Sequence, residues 1–342
     1  MKFAINGSIF LRNKKDGEKR YAEELINSLD KICSGTDIEL VISKKSLNIP
    51  DLKNIKVTKF GNFGNKNLWE QTYFSFYSIF KNRMPINLGS ITSLLKPGIS
   101  ALHDMSFLYR KEYENLTSRM VVYWHIFHYW HILKFARKII TVSEFSKNEI
   151  IKHYKTNPDR VIIISNAWQH ISRSSAISIA DRLYFFALSS VKKNKNFKWI
   201  LEVAKRNPRL KFKIAGSFDF LRFGESLDID KLPNVEFLGY VSDEEAKFLM
   251  QKAKAFLFPS FYEGFGIPPM ESLALETPII VSDIPVMREV YGNSAHYIDP
   301  YNYEVDLEKI LMEEIEPAEN VLKKYSWEKS AEMLKNLLEE LK

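Results

Sequence analysis

Residues 255–282 read AFLFPSFYEGFGIPPMESLALETPIIVS, and the fold is decided there. Ala255–Phe258 is a short apolar run that Pro259-Ser260 ends, and Pro278–Ser282 is a second, β-branched run. Between them a helix is expected just after Pro269, because proline suits the first helical position. Strand, loop, helix, strand is the repeating unit of a parallel sheet covered by helices. The loop carries Glu263, Gly264, Phe265, Gly266 and Ile267, and Glu271 follows after seven intervening residues. Glycines there accept positive φ and let a ligand approach the backbone. Glu271 is expected in the first turn of the helix, whose amides and dipole favour phosphate. The stretch therefore offers an anion site, a close backbone approach and two acids. It also fits a capped helix in which Glu271 merely stabilises its own N-terminus, and taken alone it leaves both readings open.

Working outward, short β-branched or aromatic runs alternate with helical patterns along the whole chain. Strands are expected at Lys2–Ile5, Ile38–Ile42, Ile55–Lys59, Ile99–Leu102, Lys138–Val142 and Val161–Ile164, then at Leu183–Leu188, Phe212–Ala215 and Val235–Phe237. Helices are expected at Tyr21–Leu29, Glu144–His153, Phe197–Lys205 and Asp243–Gln251, the last opened by a Ser242/Glu245 capping box. The Ser-rich, aperiodic stretch 168–181 separates two such arrays. The expectation is an α/β protein of two doubly wound domains, 1–168 and 169–326, with the final helix Trp327–Leu341 crossing back to the first. Ligands in such folds sit at the carboxyl ends of strands.

Bulk properties narrow the classes. The 342 residues suffice for two compact domains. One cysteine, Cys33, excludes an internal disulfide framework and suits a reducing, cytoplasmic setting. The opening MKFAINGSIF is too briefly apolar for a signal-peptide core and reads as a first strand. No apolar run reaches the roughly eighteen residues of a spanning helix. A net charge of +7 points to anionic ligands or an anionic membrane face. Nucleic acid is disfavoured, since no zinc-finger spacing or aromatic RNA-binding motif is present.

A second feature strengthens the ligand-binding reading. Lys192, Lys193 and Lys195 follow the strand Leu183–Leu188, and lysines at a strand end can neutralise a diphosphate leaving group. Gly216 closes Phe212–Ala215 and supplies another close approach at the same edge.

With these pieces in place, residues 258–302, FPSFYEGFGIPPMESLALETPIIVSDIPVMREVYGNSAHYIDPYN, resemble the donor-site signature of the family-4 retaining glycosyltransferases, which have the GT-B fold. The spacing of the two glutamates is that family's hallmark. In the same order, DGEKRYAEELINSL, ALHDMSF, IITVSEFSKNEI, KNKNFKWILEVAK and VEFLGYVSDEE also match, so the resemblance covers nearly the whole chain. It implies a GT-B architecture, two Rossmann-like domains facing each other across a cleft. It implies that Glu271 binds the nucleotide ribose and that Glu263 contacts the transferred sugar. Gly264, Phe265, Gly266 and Ile267 would present backbone amides, and Lys195 with Lys193 would meet the diphosphate. The backbone at Tyr240 and Val241 would hold the base, Gly216 and Gly17 would approach the donor, and His103 would sit by the sugar. The chain departs from the family pattern in showing one glycine, Gly17, in the first loop. It lacks an Arg before Lys195, and has Leu275-Glu276-Thr277-Pro278 where Cys-Gly-Thr-Pro is common. Lysine does not reproduce the bidentate arginine fork.

The resemblance further implies retention of anomeric configuration with no metal and no cofactor, the nucleotide sugar being a substrate. A hexosyl or deoxyhexosyl group would pass to a glycan or polyprenyl-linked acceptor in bacterial polysaccharide assembly. Asp228 and Asp230 flank Ile229 in a polar stretch and read as loop residues rather than metal ligands. A glycosidase with its two carboxyls about 5 Å apart, a nucleotide-sugar epimerase of the same fold and a non-catalytic partner subunit stay open as alternatives.

Residues 118–138, SRMVVYWHIFHYWHILKFARK, read as a largely apolar helix. His125, His128 and His131 recur every third residue, whereas helical metal ligands prefer a spacing of four. Imidazoles packed beside aromatic rings are the simpler expectation. Trp124, Tyr129 and Trp130 with Arg119, Lys134, Arg137 and Lys138 also resemble a membrane-surface composition, which would make the protein peripheral on the inner face of the cell membrane.

Overall fold

The computed structural model describes residues 1–13, 16–33, 37–106, 116–171, 182–189, 193–216 and 232–342. Lys192, Asp228, Asp230 and the boundary stretch from 172 to 181 lie outside them. The chain divides into two units, Met1–Asn166 with Ser326–Lys342, and Ala167–Tyr325.

The first unit is built on β1 Lys2–Asn6, β2 Ile38–Ile42, β3 Lys56–Lys59, β4 Arg83–Asn87, β5 Ile99–Ala101, β6 Lys138–Thr141 and β7 Val161–Ile163. All pairs are parallel, in the order β3-β2-β1-β4-β5-β6-β7. The second unit has β8 Tyr184–Leu188, β9 Phe212–Ala215, β10 Val235–Gly239, β11 Ala253–Phe258, β12 Ile279–Ser282 and β13 His296–Ile298. They too run parallel, ordered β10-β9-β8-β11-β12-β13. In each sheet the chain winds outward from its first strand, returns, and winds outward the other way. β1 with β4, and β8 with β11, are therefore the neighbouring strands whose connections diverge, and ligands of doubly wound sheets bind beyond the carboxyl ends of such strands.

Strands buried on both faces read as continuous apolar runs, which is why most were legible. Two were not. β4 carries Pro85 in mid-sheet, paired opposite Ala4, where a residue without an N–H is discouraged. β13 is three residues long and begins with His296.

The helices fill the faces. In the second unit Phe197, Trp199, Ile200 and Val203, from helix Phe197–Arg206, pack with Phe185, Phe212, Ile214 and Leu257 of the sheet. In the first, Trp69, Phe74 and Tyr77 pack on Ala4 and Val41. The last helix, Trp327–Glu340, belongs to the first unit. Its Trp327 ring meets Tyr21 at 6.0 Å, and Ser330 Oγ donates to the Ser165 carbonyl at 2.7 Å.

The aromatic helix spans Leu116–Phe135, shorter at its end than expected. The Ala136 amide donates to Ile132 O, Arg137 turns its amide to Gly98 O, and Lys138 opens β6 with its ammonium on Asp159 O. Lys138 is thus a sheet residue, and Tyr129 is buried in the core rather than facing solvent. His128 is fully buried, its ring 4.5 Å from that of Trp124. Burial, aided by His131 and His125, lowers its pKa to about 4, so the imidazole is neutral at pH 7.

Candidate active site

In the second unit the carboxyl ends of β8 and β11 carry the two halves of one constellation. After β8 comes a single 3₁₀ turn, Lys193–Lys195. After β11 comes the loop with Glu263. Lys195 Nζ lies 2.5 Å from Glu263 Oε1 and 5.2 Å from the centre of the Phe258 ring. Backbone contacts fix this meeting. The Phe261 amide donates to Asn194 O at 2.8 Å, and Asn194 Nδ2 donates to Tyr262 O at 3.2 Å. The two loops are thereby joined across the point where the sheet's connections diverge.

The glycine loop is equally constrained. Gly266 has φ of +93°, and a Cβ there would stand 3.0 Å from Met287 Cε and 3.3 Å from the Tyr291 hydroxyl. That hydroxyl donates to the Gly266 carbonyl, and Phe265 is buried edge-on against Tyr325 at 5.1 Å. The helix then runs Ile267–Ala274, beginning two residues before Pro269. Proline fixes a helical φ without needing its N–H, so Pro268 and Pro269 sit inside the first turn instead of ahead of it. Two corrections result. Glu271 is the fifth helical residue, beyond the first turn, and does not cap its own helix. Of the first three helical residues only Ile267 carries an N–H, so amide donors for an anion must come chiefly from the Gly264–Ile267 loop.

Glu271 is held instead by a residue that sequence reasoning passed over. His170 Nε2 is 2.8 Å from Glu271 Oε1, with both side chains buried. His170 is placed by its neighbours, since Trp168 Nε1 donates to Leu322 O at 2.9 Å and Gln169 Nε2 donates to Tyr325 O at 3.1 Å. The two glutamates thus have different partners, Lys195 and His170.

Further along the same edge, Gly216 follows β9 with φ of +138°, and a Cβ would fall 1.8 Å from Ser189 O. Only glycine fits there, and its amide donates to Gly239 O at 2.7 Å. Tyr240, exposed, and Val241 follow β10, ahead of the Ser242 capping box.

In the first unit, Gly17 opens helix Gly17–Ile32. That helix end already holds carboxylates of its own. Asp16 Oδ1 accepts from the Lys19 amide at 3.0 Å, and Glu18 accepts from the Ser90 amide at 2.6 Å and from Arg12 at 2.8 Å. Burial pushes the Glu18 carboxyl up, but Lys66 and Arg12 outweigh it and hold it at about 2. His103, just past β5, sets Nε2 2.9 Å from Leu88 O and lies edge-on to Tyr21 at 4.7 Å.

Beneath these residues, at the β1/β4 divergence, Glu70 is completely buried on a π-helical turn, Glu70–Phe74. Asn6 Nδ2 donates to it at 2.8 Å and also to Asn87 Oδ1 at 2.9 Å. Burial raises the Glu70 carboxyl to about 7, with Lys66 and Asn6 pulling the other way. A carboxyl raised in this way weakens the fold as pH climbs from its unfolded value near 4.5 through about 7. Glu70→Gln keeps an acceptor for Asn6 and removes the ionisation. Chemical denaturation should find the variant gaining on the parent by on the order of 1–3 kcal/mol between pH 5 and pH 8. An identical pH dependence in both proteins would refute the assignment.

Residues 169–326 match the family model described as "Glycosyl transferases group 1". That segment, just under half of the chain, is similar to the group 1 glycosyl transferases. Similar to it is the O-antigen chain mannosyltransferase RfbU of Salmonella typhimurium, 31% identical over 220 residues that cover 61% of this chain and 62% of that one. The O-antigen chain mannosyltransferase B of Escherichia coli is 28% identical over 222 residues, covering 56% and 58%. The chain spans about three fifths of the length of these two relatives. Sucrose-phosphate synthase from Thermosynechococcus elongatus superposes with a TM-score of 0.71 at 14% identity, over 100% of this chain and 99% of that one, a likeness of fold. The fold is GT-B.

The backbone at Glu276 is left-handed. It follows the helix at φ of +61°, the left-handed position where the related pattern commonly has glycine. Its amide donates to Leu273 O at 3.0 Å and its carbonyl accepts from Arg182 at 2.6 Å. Left-handed backbone is costly for a residue with a Cβ. Glu276→Gly should therefore stabilise the domain by about 0.5–1 kcal/mol, read as a raised unfolding midpoint. A lowered midpoint would mean that its side chain contributes more than its backbone costs.

Proposed function

We propose that this chain is a retaining hexosyltransferase that moves a mannosyl group from a nucleoside diphosphate sugar to a hydroxyl of a glycan or lipid-linked acceptor. The observation that carries the reading is the Lys195–Glu263 pair beside the Gly264–Ile267 loop, with Glu271 held on His170, at the divergence point of a group 1 domain. Mannose is favoured among hexoses because both relatives above are named mannosyltransferases.

Each group has a chemical task in this reading. Glu271, oriented by His170, accepts from the ribose hydroxyls. An ammonium has three N–H donors, so Lys195 can serve Glu263 and diphosphate oxygens together. The leaving group is thereby stabilised by a fixed cation and by loop amides aimed where charge develops. No metal is needed for that step. Glu263 positions the sugar, and the departing phosphate oxygen takes the proton of the acceptor hydroxyl on the same face, so configuration is kept. Tyr240 and Val241 border the base.

The test is product stereochemistry. With a nucleoside diphosphate α-mannose and a mannoside acceptor, the anomeric proton and carbon couplings of the product should report an α linkage, formed at full rate with chelator present. A β linkage would exclude retention. Free mannose as the sole product would indicate a hydrolase, and a loss of rate with chelator would reinstate a metal.

A further inference from the structure

We propose that the first unit carries a two-helix docking face for an anionic lipid bilayer, lying on the membrane surface rather than crossing it. Among the described residues no helix is long and apolar enough to span. Yet the aromatic helix Leu116–Phe135 exposes a row of large side chains. Trp124, Phe127 and Trp130 follow one another with ring centres 6.1 Å apart at each step, and Trp130 is 44% exposed.

The sequence pointed to this helix alone; the structure supplies a second. Helix Ser75–Phe80, which continues Lys66–Trp69 and the π-helical turn after it, exposes Phe76 and Phe80, ring centres 6.1 Å apart, with Phe80 80% exposed. The segment between Thr92 and Lys96 ties the two together. Gln71 bonds Thr92 O at 2.8 Å and the Leu94 amide at 3.0 Å, Ser75 meets Ser93, and His131 of the aromatic helix bonds the Leu94 backbone. Leu95, 61% exposed, stands on this connecting segment.

Charge selects the occupant. Residues 65–103 and 116–143 contain one acid, Glu70, and it is fully buried. Of the cations on these stretches Lys81, Lys134 and Arg137 are exposed, whereas Lys66 is turned to Glu18 at 4.0 Å and Lys96 to the Arg83 carbonyl at 2.8 Å. Lys134 extends over Trp130 at 4.9 Å and Phe135 at 5.2 Å, an ammonium set beside an aromatic belt. Apolar rings with cations, and no exposed acid among the described residues of these two stretches, match an interface of acyl chains beneath anionic headgroups. Such a surface would hold the protein where a lipid-linked acceptor resides, although the docking does not depend on the chemistry assigned to the second unit.

Flotation of the full chain with phosphatidylcholine vesicles, with and without phosphatidylglycerol, tests this. Binding should be at least tenfold stronger with the anionic lipid and should fall as salt is raised. Phe80→Ser/Trp130→Ser and, separately, Lys81→Glu/Lys134→Glu should each lower it about tenfold or more. Unfolding midpoints and nucleotide binding should stay at parental values in both variants. Equal binding to neutral vesicles, no binding, or parental binding by both variants would overturn the proposal. So would a parental dimer that Phe80→Ser/Trp130→Ser separates without vesicle binding, since the face would then join two copies of the chain.

Discussion

Glu271→Ala should lower kcat/KM by about 10²–10⁴-fold, mostly through the donor KM, while leaving the protein folded. Two hydrogen bonds from ribose hydroxyls to a buried carboxylate are worth about 1.5–3 kcal/mol each, and 1.4 kcal/mol is a factor of ten. The variant also strands His170, whose Nε2 is otherwise 2.8 Å from the carboxylate. His170→Ala should raise the donor KM about tenfold with little change in kcat, because it loosens the acceptor without deleting it. A donor lacking the ribose hydroxyls gives the decisive control. Both substitutions should become nearly silent with it if Glu271 works through the ribose. Undiminished effects on such a donor would place Glu271 elsewhere in the reaction.

Lys195→Ala should act on kcat instead, by about 10²–10³-fold, the scale of removing one preorganised group from developing charge. It leaves the Glu263 carboxylate, itself buried, without the ammonium at 2.5 Å, so stability should also drop by about 1–3 kcal/mol. The two effects can be separated. Adding Glu263→Gln to Lys195→Ala removes the stranded charge and should restore most of the stability, but none of the turnover. Lys195→Arg should restore stability better than rate, since a planar fork does not replace a compact ammonium. Full turnover in either Lys195 variant would remove this residue from the leaving-group role.

Much of this arrangement could be read from the chain because its signals are local. Two apolar runs around a Gly-Phe-Gly-Ile-Pro-Pro loop specify strand, loop and helix within 28 residues, 255–282. Lys195 was legible from its place after the run at 183–188. Pairings between distant segments were not. His170 reaches Glu271 across 101 positions, from a polar stretch with no periodicity, and nothing in its neighbours announces a partner. Tyr291 reaches Gly266 across 25, from the short helix Pro285–Tyr291, which no local signal had singled out. Local rules also misled where tertiary context prevailed. Pro85 discouraged a strand that flanking strands nonetheless complete, and the paired prolines delayed a helix that had begun at Ile267. Tyr129 and Trp130 are adjacent and similar in chemistry, yet one is core and the other surface, a distinction set by which side of the helix meets the sheet.

In the proposed reading Lys195 and Glu271 grip one nucleoside diphosphate at the β8/β11 divergence. Calorimetric titration of nucleoside diphosphates into the parent protein, Lys195→Ala and Glu271→Ala measures that grip. One diphosphate should bind the parent tightly. Lys195→Ala should cut affinity for the diphosphate at least tenfold while barely affecting the matching nucleoside, and Glu271→Ala should weaken nucleoside and diphosphate alike. Parental affinities in both variants, in proteins with intact unfolding transitions, would contradict it.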